Sequence, residues 1–440
     1  MSSLRGVSVL IAGAGLAGLT VARELGRKGA AISVIEARPR IGGRVWTRRE
    51  PFLHRQHAEA GADLIDEDQK AIRALARELG LSLAEILPGG FTGIRQVNGG
   101  RRIRGRKGWQ ELERRLQPEV QAFCLGEKRW DNAIARNIAR ESVADWLTRI
   151  RASKALRAMA AGMRGFFLAD PDDLSLIAMV DQFAEEGAPG GEKLFRIRGG
   201  NDRLAVALAS TIKGRLTLES VLRRVTQLDT GIEASVETAS GLVQVRADYL
   251  VCTLPTSTLQ SVQFSPALPD LQQKALRALT YGPVTKTAIQ FASTPWRRRG
   301  QLRGFGTNLP VGAVWDANEE QTGEHGILTL MAGGRASAET KRILSEGGPS
   351  ALARQVTWLP LGKTPIVAAD SISWEDDPWS RGGYAYFHHQ FDPGLREWLA
   401  RPHGRVFFAG EHTSNKWQGY MNGAVESGLR AAAEVERSVG

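Results

Sequence analysis

Two cysteines, Cys124 and Cys252, are all that the 440 residues contain. No disulfide framework can therefore hold this chain together, and a reducing, cytoplasmic setting is expected. Long apolar runs are missing too. No uninterrupted stretch reaches the roughly 18 residues that a membrane span needs, so no membrane association is expected. The first strand signal, at Val7, leaves no room ahead of it for a signal peptide. Acids are outnumbered, with 47 Asp+Glu against 58 Lys+Arg, which gives a formal charge of +11 and a pI near 9.9. No basic block exceeds the scale of a loop, so the excess arginine reads as a solvated surface and no nucleic-acid partner is expected. The densest clusters, Arg101 to Lys107 and Arg297 to Arg299, flank glycines and read as surface loops.

What is present is the composition of an ordinary globular protein, 42% hydrophobic and 24% charged, long enough for two domains with their own cores. Residues 7 to 46 carry the strongest pattern. Val7 to Ile11 is a β-branched run suited to a buried parallel strand, and it leads into Gly13-Ala14-Gly15-Leu16-Ala17-Gly18. In this G-x-G-x-x-G turn, Gly13 permits the tight bend, Gly15 lets backbone approach a pyrophosphate, and Gly18 lets the next helix pack close. Leu16 to Gly26 has helical spacing, which directs its free N–H groups at the phosphates. A second strand, Ala31 to Ile35, ends in Glu36, 18 residues after Gly18, where a carboxylate accepts hydrogen bonds from a ribose 2′-hydroxyl. Strand, turn, helix, strand and acid together predict a dinucleotide-binding α/β domain.

Glu36-Ala37-Arg38 followed by Ile41-Gly42-Gly43-Arg44-Val45 resembles the second flavin-binding signature of the glutathione-reductase-like flavoproteins, in particular the flavin amine oxidases. The resemblance implies FAD, with Gly43 passing close to the flavin and Arg44 neutralising phosphate charge. It extends over nearly the whole chain and implies an FAD-binding Rossmann domain (1–70, 197–276 and 384–440) interleaved with a substrate domain of mixed sheet plus helices (71–196 and 277–383). By the same resemblance Val221 offers its backbone to the adenine. Val406-Phe407-Phe408-Ala409-Gly410-Glu411 is a strand whose acid approaches the ribityl or pyrophosphate groups. Trp417 to Gly428, with Gly419, Tyr420, Met421 and Ala424, brings a helix N-terminus to the flavin pyrimidine.

Local pattern predicts further elements. Ala71 to Leu83 reads as an amphipathic helix capped at Gly80, residues 106 to 186 as mostly helical, and Leu216 to Leu222, Ile232 to Glu237 and Leu242 to Val245 as strands. Met163, Phe166, Phe167 and Phe183 either line an apolar substrate cavity or form helix core, and Phe166 is taken as a substrate contact. Asp66 has two readings: an N-cap for a helix starting near Gln69, or an acid that pairs with a substrate's distal ammonium. Glu59 reads as structural.

Lys286 sits in an alternating strand, facing away from Thr285 and Thr287; pattern alone makes it a snorkelling lysine. In flavin amine oxidases a lysine in this setting holds a water against flavin N5. The same resemblance places Trp374 near the isoalloxazine and makes Tyr384 and Tyr420 the two aromatic rings that sandwich a substrate amine. Gly383 stands where the mitochondrial monoamine oxidases carry the cysteine that bonds the flavin, so FAD is expected to be non-covalent.

The implied activity is oxidation of an amine to an imine, with imine hydrolysis and reoxidation by O2 to H2O2. Substrate readings left open are a monoamine, a polyamine, an L-amino acid or a specialised metabolite. The alternative of another class is a flavin-bound binding protein without turnover. No metal site is expected; homodimers are common in the family, but no sequence feature fixes an interface.

Overall fold

The computed structural model describes residues 4–88, 94–98, 101–104, 106–186, 193–297, 304–356, 358–359, 361 and 364–439. A five-stranded, all-parallel sheet runs in the order Arg215–Thr217, Ala31–Ile35, Ser8–Ala12, Tyr249–Cys252, Val406–Phe408. Side chains alternate across its first strand. Val9 and Ile11 face the helices Leu16–Arg27, Asp202–Ser210 and Met421–Val439, while Leu10 and Ala12 face a second core shared with the sheet of Val221–Leu228 and Gly231–Thr238. Both faces being buried explains why Val9 to Ala12 is apolar without alternation.

A seven-stranded sheet stands apart from the first, ordered Ile366–Ser373, Val284–Phe291, Gly326–Gly333, Ala313–Asp316, Gly304–Thr307, Ile94–Asn98, Arg101–Arg104. It is antiparallel except where Gly304–Thr307 meets Ile94–Asn98. Helices Arg106–Leu125, Ala133–Ala139, Val143–Arg149, Lys154–Gly162, Arg164–Phe167 and Leu176–Glu186 form the helical part. Asn132, Ser142 and Ser153 cap three of these by accepting from backbone N–H groups in the first turn.

Three sequence expectations need correction. The helix expected over Ala71 to Leu83 is Lys70–Glu78; Gly80, at φ +71°, ends it, and Leu83–Ile86 instead pairs with Leu194–Ile197. The run Leu216 to Leu222 is not one strand, because the chain leaves the parallel sheet after Thr217, turns at Glu219 (φ +51°), and enters the other sheet at Val221. The basic stretch from Arg101 is not a loop. Arg101–Arg104 is an edge strand paired with Ile94–Asn98, a position that tolerates charge, and Arg106 opens a helix. Arg297 ends a 3-10 turn, whereas Arg298 and Arg299 lie outside the described residues.

Candidate active site

The helices Leu16–Arg27 and Met421–Val439 both open onto one cavity of about 550 Å³, lined at these ends by Leu16, Ala17, Met421 and Ala424. Each N-terminus offers unpaired backbone N–H groups and a partial positive charge. The glycine turn is shaped for this. Gly13 has φ +107°, and a Cβ there would meet Thr253 Oγ1 at 2.4 Å; one on Gly18 would meet the Gly13 carbonyl oxygen at 2.0 Å. A Cβ on Gly15 would meet nothing within 4 Å, so it is bare backbone that borders the cavity there.

Glu36 closes the turn: its carboxylate accepts from Ala14 N at 2.8 Å and from Arg38 N at 2.9 Å. The Arg38 guanidinium donates to Asp377 Oδ1 and to Ser380 Oγ, both at 2.6 Å, and its Nε is buried without a partner. Ala37, Gly43 and Gly410 complete this wall. Arg44 donates to the Gly383 carbonyl at 2.8 Å and to Glu411 Oε1 at 3.0 Å, and Glu411 Oε2 accepts from Gly419 N at 2.8 Å. Gly18 lies behind the wall, and Val221 borders a separate, smaller cavity with Ala12, Ala37 and Trp379.

Lys286, Trp374, Tyr384 and Tyr420 border the same cavity. Lys286 is in the fully buried strand Val284–Phe291; Thr285 and Thr287 bond Ser337 and Ser371 on one face, while the lysine points to the other. It is 4% exposed, not a snorkelling surface residue. Its Nζ donates to the Gly61 carbonyl at 2.8 Å and to Asp63 Oδ2 at 3.0 Å. Trp374 Nε1 donates to the Ala60 carbonyl at 2.8 Å, which sets the indole beside Gly61. The Tyr384 hydroxyl donates to the Phe166 carbonyl, and burial, with Glu411 nearby, pushes its pKa up, so the ring is neutral. Tyr420 packs edge-on against Trp417, with ring centroids 5.6 Å apart. Met163, Phe166, Phe167 and Phe183 all line the cavity, so the helix-core reading of these side chains is incomplete. Asp66 lines it too. Its carboxylate accepts from the Gln69 side chain at 2.5 Å, and Gln69 stands at the N-cap of Lys70–Glu78 with no side-chain cap bond, so Asp66 is not that cap.

Residues 16–436 match the family described as flavin containing amine oxidoreductase. The chain belongs to that family. Among curated relatives, a putative flavin-containing monoamine oxidase of Mycobacterium tuberculosis is 27% identical over 98% of this chain and 96% of its own. A putative L-amino-acid oxidase of Bacillus subtilis is 24% identical over 98% and 94%. Among solved structures, cyclohexylamine oxidase from Brevibacterium oxydans shares the fold with a TM-score of 0.85, at 24% identity over 98% of this chain and 99% of that one. Putrescine oxidase bound to putrescine does so with a TM-score of 0.83, at 23% identity over 98% and 99%.

A flavin-containing amine oxidoreductase needs a long groove that takes phosphates at one end and a ring at the other. The residues here fit such a group: the ends of two helices, the bare Gly15 backbone and Arg38, whose Nε is buried without a partner, all border the cavity. No helix among the described residues is long and apolar enough to cross a membrane. What sequence reading missed in this oxidoreductase is the group around Lys286. Asp63 accepts from Lys286, from Trp315 Nε1 at 3.0 Å and from Arg196 Nε at 2.7 Å, and Arg196 also pairs with Glu320 at 2.9 Å. Arg196 alternates with apolar Phe195 and Ile197 in Leu194–Ile197, and it is 1% exposed. A charge in an apolar strand was the only signal available.

Proposed function

We propose that this chain oxidises a primary or secondary amine to its imine with a non-covalently held FAD, the imine then hydrolysing to a carbonyl compound with release of ammonia from a primary amine or of an amine from a secondary one. When bound, FAD accepts the hydride equivalent from the amine α-carbon and passes the electrons to O2 as H2O2. The observation that carries the reading is that Lys286, Trp374, Tyr384 and Tyr420, more than 30 residues apart in nearly every pairing, border one cavity with the Gly13–Gly15 cradle. The parallel-sheet segments within 1–70, 197–276 and 384–440 act as a glutathione-reductase-like FAD domain, and 71–196 with 277–383 supply the substrate side.

The protein's own contribution is orientation and exclusion of water. Tyr384 and Tyr420 hold the amine nitrogen between ring faces, where the quadrupoles tolerate developing positive charge. Phe166, Met163 and Phe183 keep the α-carbon end dry, which favours the uncharged amine. Lys286 donates two of its hydrogens to Gly61 and Asp63, and the third would hold a water against a bound flavin. Gly383 supports the non-covalent link: it carries no thiol, and a Cβ there would meet Val284 Cγ1 at 2.5 Å and Leu168 Cδ1 at 2.6 Å, so a larger residue would have to displace both side chains.

A polyamine is the second substrate reading, favoured by Asp66 and Asp181 on the cavity wall. An L-amino acid is disfavoured by Asp63, an acid beside Lys286 in the segment where an arginine for the substrate carboxylate would stand. Anaerobic flavin bleaching and aerobic peroxide release against arylalkyl amines, aliphatic amines, polyamines and L-amino acids test the reading. Bleaching by amines that is lost in Tyr420→Ala supports it; bleaching by amino acids alone overturns the substrate class.

A further inference from the structure

The Lys286 ammonium has three hydrogens and two protein acceptors, the Gly61 carbonyl and Asp63 Oδ2. Lys286 also borders the cavity, where it can meet whatever the cavity holds. What Lys286 offers there depends on its charge. As an ammonium it offers an N–H donor; as a neutral amine with its two donors still engaged it can offer a lone pair.

Asp63 is built to decide between these states. Both of its oxygens are engaged, Oδ1 by Arg196 Nε at 2.7 Å and Oδ2 by Lys286 Nζ and Trp315 Nε1, each at 3.0 Å. The carboxylate is thus fixed in rotation, and Lys286 Nζ lies over the Trp315 ring, 5.1 Å from its centroid. Four charges alternate through the cluster: Lys286, Asp63, Arg196 and Glu320. Glu59 is the remaining titratable neighbour, and burial pushes its pKa up to about 7. The residues opposite Lys286 on the two flanking strands, Met331 and Ile372, carry no charge. Burial pulls the lysine pKa down from the usual amine range, and the nearest force opposing it is the Asp63 charge.

We propose that Asp63 is a positioning residue for Lys286: it pins the side chain as an ammonium, so that the group presents the cavity with a hydrogen-bond donor and not a base. This rests on the reading of the cavity as an amine-oxidising site, but the lysine state is measurable without turnover.

The experiment is acetic anhydride labelling of the full-length holoprotein from pH 6 to 10, with Lys286 acetylation quantified by peptide mass spectrometry in wild type and Asp63→Asn. The pH profile of anaerobic flavin bleaching is taken in parallel. Removing a charge at hydrogen-bond distance is expected to move the labelling midpoint of Lys286 down by at least one pH unit, about tenfold in the neutral fraction, and the basic limb of the bleaching profile with it. Unchanged labelling and an unchanged profile in a folded Asp63→Asn would overturn the proposal. If no amine bleaches the wild type, the functional reading fails while the labelling still judges Asp63. Should Asp63→Asn not fold, Asp63→Asn/Lys286→Met decides: recovery of folding shows that Asp63 answers the Lys286 charge, and no recovery shows that its partner is Arg196 alone, which sinks the idea.

Discussion

Arg44 Nη1 and Glu411 Oε1 form a 3.0 Å ion pair that ties the Gly42-Gly43-Arg44 turn to the segment preceding the last helix. Glu411 is nearly buried and its second oxygen holds Gly419 N, so a single carboxylate fixes both walls where a flavin would lie. Burial would lower the Arg44 pKa, and its neighbours, with the Glu411 charge and hydrogen bond among them, more than restore it. Glu411→Gln keeps an acceptor for Gly419 but leaves Arg44 uncompensated. The expected cost is about 3 kcal/mol in urea unfolding, with the flavin lost on gel filtration under conditions where wild type retains it.

Two of the three glycines of the turn, Gly15 and Gly18, should separate binding from folding. Gly15→Ala adds a methyl that meets no protein atom within 4 Å, on a backbone with φ −76° that alanine adopts freely. It should melt like apo wild type and bind little flavin. Gly18→Ala drives a Cβ to 2.0 Å from the Gly13 carbonyl, forcing the helix off the strand, and should lower the apo melting temperature as well. Differential scanning calorimetry of the two apo variants, with flavin content read by absorbance, distinguishes them; equal melting temperatures would sink the distinction.

Tyr384 contributes a ring and an anchor. Its hydroxyl donates to the Phe166 carbonyl, which belongs to the short helix Arg164–Phe167 from the helical part. Tyr384→Phe keeps the ring and removes one hydrogen bond worth about 1 kcal/mol, so kcat/KM should fall by roughly fivefold. Tyr384→Ala removes the ring itself, and steady-state kinetics should show a loss at least tenfold larger than that of the phenylalanine variant.

The glycine turn that borders the cavity was legible because its constraints are local. Gly13, Gly15, Gly18 and Glu36 act within one strand-turn-helix-strand unit, and their spacing carries the geometry. Lys286, Tyr384 and Tyr420 were placed by resemblance, since strand alternation gave the lysine a direction but not its surroundings. Asp63 and Arg196 escaped because their meaning lies in a contact spanning 133 residues. Neither charge has a partner at helical or strand spacing, and only the tertiary fold joins them. The strand at Leu83–Ile86 was lost for a similar reason: its partner, Leu194–Ile197, is more than 100 residues away.

Glu59 provides a pH test of the fold. It is buried, accepting from Asn201 N and Thr47 Oγ1, both at 2.9 Å, and burial, then the Asp63 charge, push its pKa up from 4.5 to about 7. A raised carboxyl pKa means that the folded state holds a proton the unfolded chain releases. Its stabilising contribution is therefore complete below about pH 4.5 and is lost as pH rises through 7, with an upper size of about 3 kcal/mol. His57 and His412 work the other way. Burial holds each near pKa 4, so their contribution is complete above 6.5 and is lost as pH falls through 4. The overall profile sums these opposing terms, and Glu59→Gln isolates one of them. Urea unfolding of wild type and Glu59→Gln at pH 5 and pH 8 should show the variant gaining on wild type by roughly 2–3 kcal/mol at the higher pH. A difference that stays constant between the two pH values would mean that Glu59 is ionised throughout and that Asn201 and Thr47 outweigh its burial.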